Sequence, residues 1–213
     1  MKKLLSVALI GVVVACQQPQ KKENSSGADK NAITCEAIGP VKLSYSHADL
    51  EKEFGADKLI DEDKQNEKNV SEHITRVFKD SPEEVTVYWS EKAAPYAKAT
   101  KLAITNEGSP YTLEGGIGIG ASLSELKSAN NFQPITFSNF FAHLDGFGRI
   151  KSFNGGDLGT KYPCLGGMLD IEKQKQIDVN VLEDFKKQEE AKSSDKAMEF
   201  MDVKLVELSI SAK

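Results

Sequence analysis

The chain is poor in the residues that build metal and redox centres. Its 213 residues hold three cysteines, three histidines and one tryptophan. His47, His73 and His143 are scattered, and none stands at ligand spacing to a cysteine, so neither a metal nor a cofactor is expected. A basic excess is missing too: 27 Lys and Arg face 32 Asp and Glu, for a net charge of −5. Binding to phosphate backbones needs a basic patch, which excludes nucleic acid as a partner. Catalytic signatures are also absent. There is no Gly-x-Ser-x-Gly elbow, no His-Glu-x-x-His and no Ser-x-x-Lys in catalytic context; Ser128 has no lysine three residues on. Triads assemble from distant positions, which leaves an unrecognised hydrolase as the one enzymatic alternative. The reading from sequence is a protein that is not an enzyme.

Long apolar runs are equally scarce. The one candidate opens the chain, where Lys2 and Lys3 precede Leu4 to Val14, broken only by Ser6 and Gly11. This run is too short for a permanent transmembrane helix, which needs about 20 residues, but it fits an export signal. The residues that follow, Val13-Val14-Ala15-Cys16, resemble the lipobox read by lipoprotein signal peptidase. The resemblance implies a signal peptide over 1–15, cleavage before Cys16 and acylation of that cysteine. Several acyl chains hold a protein firmly, each buried methylene adding about 0.8 kcal/mol. Gln17 stands where an Asp would resemble an inner-membrane retention signal, which favours the outer membrane. Removing Lys2 and Lys3 leaves 25 basic against 32 acidic residues, or −7, so attachment rests on lipid rather than on a polybasic surface.

Residues 16–32 read as a lipidated tether, polar and too poor in apolar side chains to offset the entropy of ordering. With Cys16 lipidated, Cys35 and Cys164 remain as an even pair in an oxidising compartment. A disulfide between them is expected, since exported thiols tend to pair.

Beyond the tether, two segments share a design. Ser46-His47-Ala48-Asp49-Leu50 and Ser122-Leu123-Ser124-Glu125-Leu126 each place an acid three residues after a serine, the capping-box pattern of a helix start. The first ends at Gly55 and the second at Asn130-Asn131, residues that tolerate the left-handed backbone of a helix end. Strand-like sequence follows each: Ile74 to Phe78, Val85 to Trp89 and Ala99 to Thr105 after the first, with Lys58 to Asp61 as a short earlier strand. After the second come Pro134 to Phe141, Arg149 to Phe153 and Val203 to Ile210, a last strand whose alternation sets Val203, Leu205, Glu207 and Ser209 opposite Lys204, Val206, Leu208 and Ile210. The pattern predicts an α+β fold of two short-helix-plus-antiparallel-sheet units, 33–114 and 115–213, compatible with a tandem repeat. Val179 to Met201 reads as a charged helical excursion before the last strand, with Val181, Leu182 and Phe185 as an apolar patch and Gln188 to Lys196 solvated.

The glycines from Gly115 to Gly120 lack the Gly-Lys-Ser/Thr ending of a phosphate loop and read as a connector. Asp145-Gly146 and Asn154-Gly155 carry turn chemistry rather than a calcium-loop pattern. Phe132, Phe137, Phe140, Phe141, Phe147 and Phe153 crowd one stretch. Most must be core; the group Phe140, Phe141, His143 and Phe147 is the candidate interaction surface, with His143 expected at the core edge.

A capped helix ending in Phe54-Gly55, antiparallel strands, and a second helix entered through Gly118-Ile119-Gly120-Ala121-Ser122-Leu123-Ser124-Glu125-Leu126 together resemble a group of uncharacterised Gram-negative lipoproteins. The units resemble more loosely those of β-lactamase inhibitor protein and of the small lipoprotein of the outer-membrane β-barrel assembly machinery. Fold alone brings no activity. The resulting expectation is a membrane-anchored envelope lipoprotein acting as a binding or interaction module for an envelope protein or small ligand. The alternatives are a structural accessory of an envelope complex and the hydrolase already named.

Overall fold

The computed structural model describes residues 29–65 and 70–212. The expected signal peptide, Cys16 and most of the tether lie outside these residues. No helix among the described residues is long and apolar enough to cross a membrane.

The fold is α+β: four helices, one nine-stranded antiparallel open sheet and a two-stranded hairpin. The hairpin, β1 (Ala37–Ile38) and β2 (Val41–Lys42), buries Ile38 and Val41. Helix α1 (His47–Phe54) then leads into β3 (Leu59–Gln65), β4 (Ser71–Val77), β5 (Val85–Trp89) and β6 (Ala99–Ile104). Helix α2 (Leu123–Ala129) leads into β7 (Thr136–Ser138), β8 (Gly148–Ser152), the short α3 (Asp157–Lys161) and β9 (Leu165–Gln174). The chain ends with α4 (Val179–Lys186), β10 (Glu190–Lys192) and β11 (Met201–Ser211). The order across the sheet is β10-β7-β8-β9-β11-β6-β5-β4-β3. A helix followed by a strand meander therefore occurs twice, and the last strands of the two halves, β6 and β11, meet at mid-sheet.

Both helices start as the serine spacing predicts. Ser46 accepts from the Asp49 amide at 3.2 Å, and Asp49 accepts from the Ser46 amide at 3.0 Å. Ser122 and Glu125 repeat this at 3.2 and 2.8 Å. These bonds satisfy amides that have no partner within the helix. Leu50 and Leu126 occupy the same place in the two copies, and both are buried in the core. Gly55 ends the first helix at φ +90°, while Asn131 at φ +53° supplies the left-handed residue after the second.

The core is one-sided. Leu59, Val77, Val85, Val87, Leu102 and Ile104 point from the first half of the sheet toward α1, and Leu169, Leu205, Leu208 and Ile210 continue that face. On the other face the buried apolar cluster among the described residues is Ile74, Tyr88 and Ala103.

Three expectations are corrected. Simple alternation put Leu208 and Ile210 opposite Val203 and Leu205, but a bulge between Leu205 and Glu207 changes the phase. With Val206 as the extra residue, all four leucine, valine and isoleucine side chains reach the core, and Glu207 turns to the opposite face. The helical excursion is α-helical only over α4, with a 3-10 turn at Lys196–Phe200; Ala191 is fully buried, so β10 joins the sheet edge instead of standing in solvent. Strand β9 and helix α3 were not expected. Glycine is a poor strand former, but a Cβ at Gly167 would lie 2.4 Å from the Glu207 carbonyl oxygen. Glycine there lets β9 close against the bulge of β11.

Candidate functional site

Cys35 and Cys164 are joined, with Cα atoms 5.5 Å apart. The bond ties the segment before β1 to the start of β9, deep in the second half. It is structural: Cys164 is buried within the core cluster.

The densest group of chemically active side chains sits where α1 crosses the edge hairpin β3–β4. Asp61 and Asp63 alternate on β3, and Thr75 and His73 stand opposite them on β4. Alternate residues share a face, so all four point the same way, beneath the first turn of α1. His47 reaches Asp61 at 3.1 Å through Nε2. The His73 Nδ1 lies 3.0 Å from Asp63, and its ring stacks on Tyr96 with centroids 3.9 Å apart. Trp89 Nε1 donates to Thr75 at 2.9 Å, and Thr75 donates to Asp61 at 2.6 Å. Burial and the carboxylates of Asp63 and Asp61 push the Tyr96 hydroxyl up. The Thr75 hydroxyl is committed to Asp61. Among the described residues no three His, Cys, Asp or Glu side chains are placed to hold a metal ion. What the network does is pin α1 and the loop carrying Tyr96 to the sheet edge; the His47 amide donating to the Tyr96 carbonyl at 2.8 Å completes the clamp.

A groove of about 770 Å³ lies between α2 and α3. Its floor is the Gly115–Gly120 stretch, and its walls include Thr112, Glu125, Ser128, Asp157, Leu158 and Tyr162. Gly115, Gly116 and Gly120 have φ of +86, +82 and +85°, which L side chains rarely adopt, and a Cβ on any of them would meet nothing within 4 Å. The loop is anchored below by Ile117, which is buried, and by the Gly120 amide donating to Leu205 at 2.8 Å. The connector expected from sequence is thus the floor of this cavity; another, of about 430 Å³, lies beside β11. Glu114, Glu125 and Asp157 line it against the single cation of Lys161, which pairs with Glu114. Hydrogen bonds from the Ser122 amide and hydroxyl hold the Glu125 carboxyl below the usual carboxylate range. Carboxylates facing a glycine loop repel phosphate, which removes the phosphate-loop reading on electrostatic grounds.

The expected aromatic surface separates into parts. Phe140 is buried against Phe137, with ring centroids 5.3 Å apart, and belongs to the core. Phe147 is half-buried, whereas His143 is exposed and not at the core edge. Phe141 and Leu144 project, 42% and 111% exposed, so the surviving apolar tip is Phe141 to Leu144 on the β7–β8 loop. Phe141 leans edge-on against Phe185 of α4 at 6.2 Å, which is what fixes the base of this tip.

On the sheet face away from the helices, Lys101 lies 3.9 Å above the Tyr88 ring and 3.4 Å from Glu207. Burial first, then Glu207 and Glu72, drives the Tyr88 hydroxyl far up, so it stays protonated. Comparison with protein-family models, curated proteins and solved structures gave no match.

Proposed function

We propose that the protein is a lipid-anchored envelope protein, held to a membrane, with the outer membrane favoured, through Cys16. It works as a binding module, and the groove between α2 and α3 is its ligand seat. The observation that carries this reading is the groove floor. The main chain at Gly115, Gly116 and Gly120 lies open to a cavity of about 770 Å³, within the size range of ligand sites. Its walls stand on α2 and α3 while its floor is tied to β11, so the seat is held by rigid elements. The lipobox-like Val13-Val14-Ala15-Cys16 and the Cys35–Cys164 bond support an exported, oxidising location.

The two halves read as copies of one helix-and-meander unit. Matching capping boxes, matching buried leucines and a four-strand array after each helix support this, the second array (β7, β8, β9, β11) carrying β10 as an extra edge strand. A structural-accessory role is a second reading, favoured by the exposed Phe141–Leu144 tip, which has the apolar character of a protein contact.

The test is a photocrosslinking residue in place of Ser128 in intact cells, with Lys52 on α1 as the control position. A discrete adduct from position 128 and none from position 52 is expected. Adducts from both positions alike, or from neither, contradict the groove as the seat.

A further inference from the structure

Taking the groove as the ligand seat, we infer that its occupant is an extended basic peptide segment of a partner protein. Three observations converge on that chemistry. The first is the sign of charge: three carboxylates line the groove, and Lys161 is already paired with Glu114. Glu125, whose carboxylate accepts from the Ser122 amide and hydroxyl, and Asp157 line the cavity from different helices, and among the described residues neither forms an ion pair. A ligand bringing amines or guanidinium groups supplies what is missing. The second is the floor. A Cβ at Gly115, Gly116 or Gly120 would have met only empty space, so an incoming main chain can approach the loop backbone with no side chain between. The third is the mixture on the walls, where the hydroxyls of Thr112 and Ser128 alternate with the apolar Ile119 and Leu158. A peptide presents the matching mixture, with amides for the hydroxyls and aliphatic stems of lysine or arginine for the apolar surface. The groove is open to solvent, which suits a segment passing through it better than a small molecule that needs to be enclosed.

The test uses the full chain carrying Cys16→Ser, so that it can be purified without lipid. Fluorescent ten-residue peptides of alternating Lys-Ser and of alternating Glu-Ser are titrated by anisotropy. A Glu125→Gln/Asp157→Asn variant removes the two groove charges, and Gln at position 125 keeps the capping box. A Glu53→Gln/Asp57→Asn variant makes the same change in net charge on the first half of the fold and controls for general attraction. The inference expects the Lys-Ser peptide to bind, to weaken at least fivefold with the groove variant and less than twofold with the control, and the Glu-Ser peptide not to bind. Equal weakening by the two variants, no binding of the Lys-Ser peptide, or equal binding of both peptides overturns it. If the Ser128 adduct forms in cells while the peptides fail, the seat stands and only the peptide chemistry falls. If both fail, the seat falls with it.

Discussion

Breaking the Cys35–Cys164 bond should cost the fold several kcal/mol, mainly through the unfolded chain. The two cysteines are 129 positions apart, so the bond closes most of the described chain into one loop. On the chain-entropy model a loop of that length removes about 17 cal/mol/K from the denatured ensemble, or about 5 kcal/mol at 25 °C. Measured bridges usually deliver somewhat less, and about 3 to 5 kcal/mol is expected. Each kcal/mol moves the midpoint of a domain this size by about 2–4 °C, so the Cys35→Ala/Cys164→Ala protein should melt about 6–20 °C lower. Urea unfolding followed by Trp89 fluorescence separates the cause from a simple packing loss. Removing a crosslink lets the unfolded chain expand, so the dependence on urea should steepen as the midpoint falls. A loss below about 1 kcal/mol with an unchanged slope would refute the reasoning, because it would mean the bond joins segments the unfolded chain already keeps together.

The caps and the clamp give further expectations. Ser46→Ala and Ser122→Ala should each lower stability by about 1 kcal/mol in urea unfolding, and a loss at one site alone would break the equivalence of α1 and α2. Asp49 is held below its ordinary value by the Ser46 hydroxyl and then the Ser46 amide; Glu125 is held down by the Ser122 amide and then its hydroxyl. Groups lowered by folding contribute in full above the ordinary carboxylate range and lose that contribution as pH falls through their folded values. The difference between wild type and the serine variants should therefore shrink on acidification below that range; a difference constant with pH would show the acids are not part of the cap. Thr75→Val keeps the shape but leaves the buried Trp89 indole without its acceptor, at a cost of about 1–3 kcal/mol. As the chain has one tryptophan, its emission should shift to shorter wavelength in that variant, and an unchanged spectrum would contradict the hydrogen bond.

What the sequence made legible was local. Ser46 and Ser122 mark helix starts because capping chemistry acts over three residues, and Val85 to Trp89 alternates because its strand pairs without a bulge until its last residue. Strand β9 was hidden because Gly166 and Gly167 are poor strand formers by themselves. Their reason lies in a bulge some 40 positions later. The same bulge explains why the face assignment of β11 was half wrong. The clamp at His47, Asp61, His73, Thr75 and Trp89 was invisible for a related reason: its members come together only once β3, β4 and β5 are in register. The alternation of Asp61 with Asp63 and of His73 with Thr75 was the one available signal, and it required pairing the strands first. The glycine loop was seen, but its carboxylate walls come from α2 and α3, one of which was not expected.

The anchor is the claim on which the whole account depends, and mass analysis of the protein extracted from membranes tests it directly. The account predicts that the mature chain begins at Cys16 and carries a thioether-linked diacylglycerol on that residue, and that Cys16→Ser abolishes both the lipid mass and membrane partition. A chain that begins elsewhere without lipid, or a Cys16→Ser protein that partitions with membranes as wild type does, would contradict it.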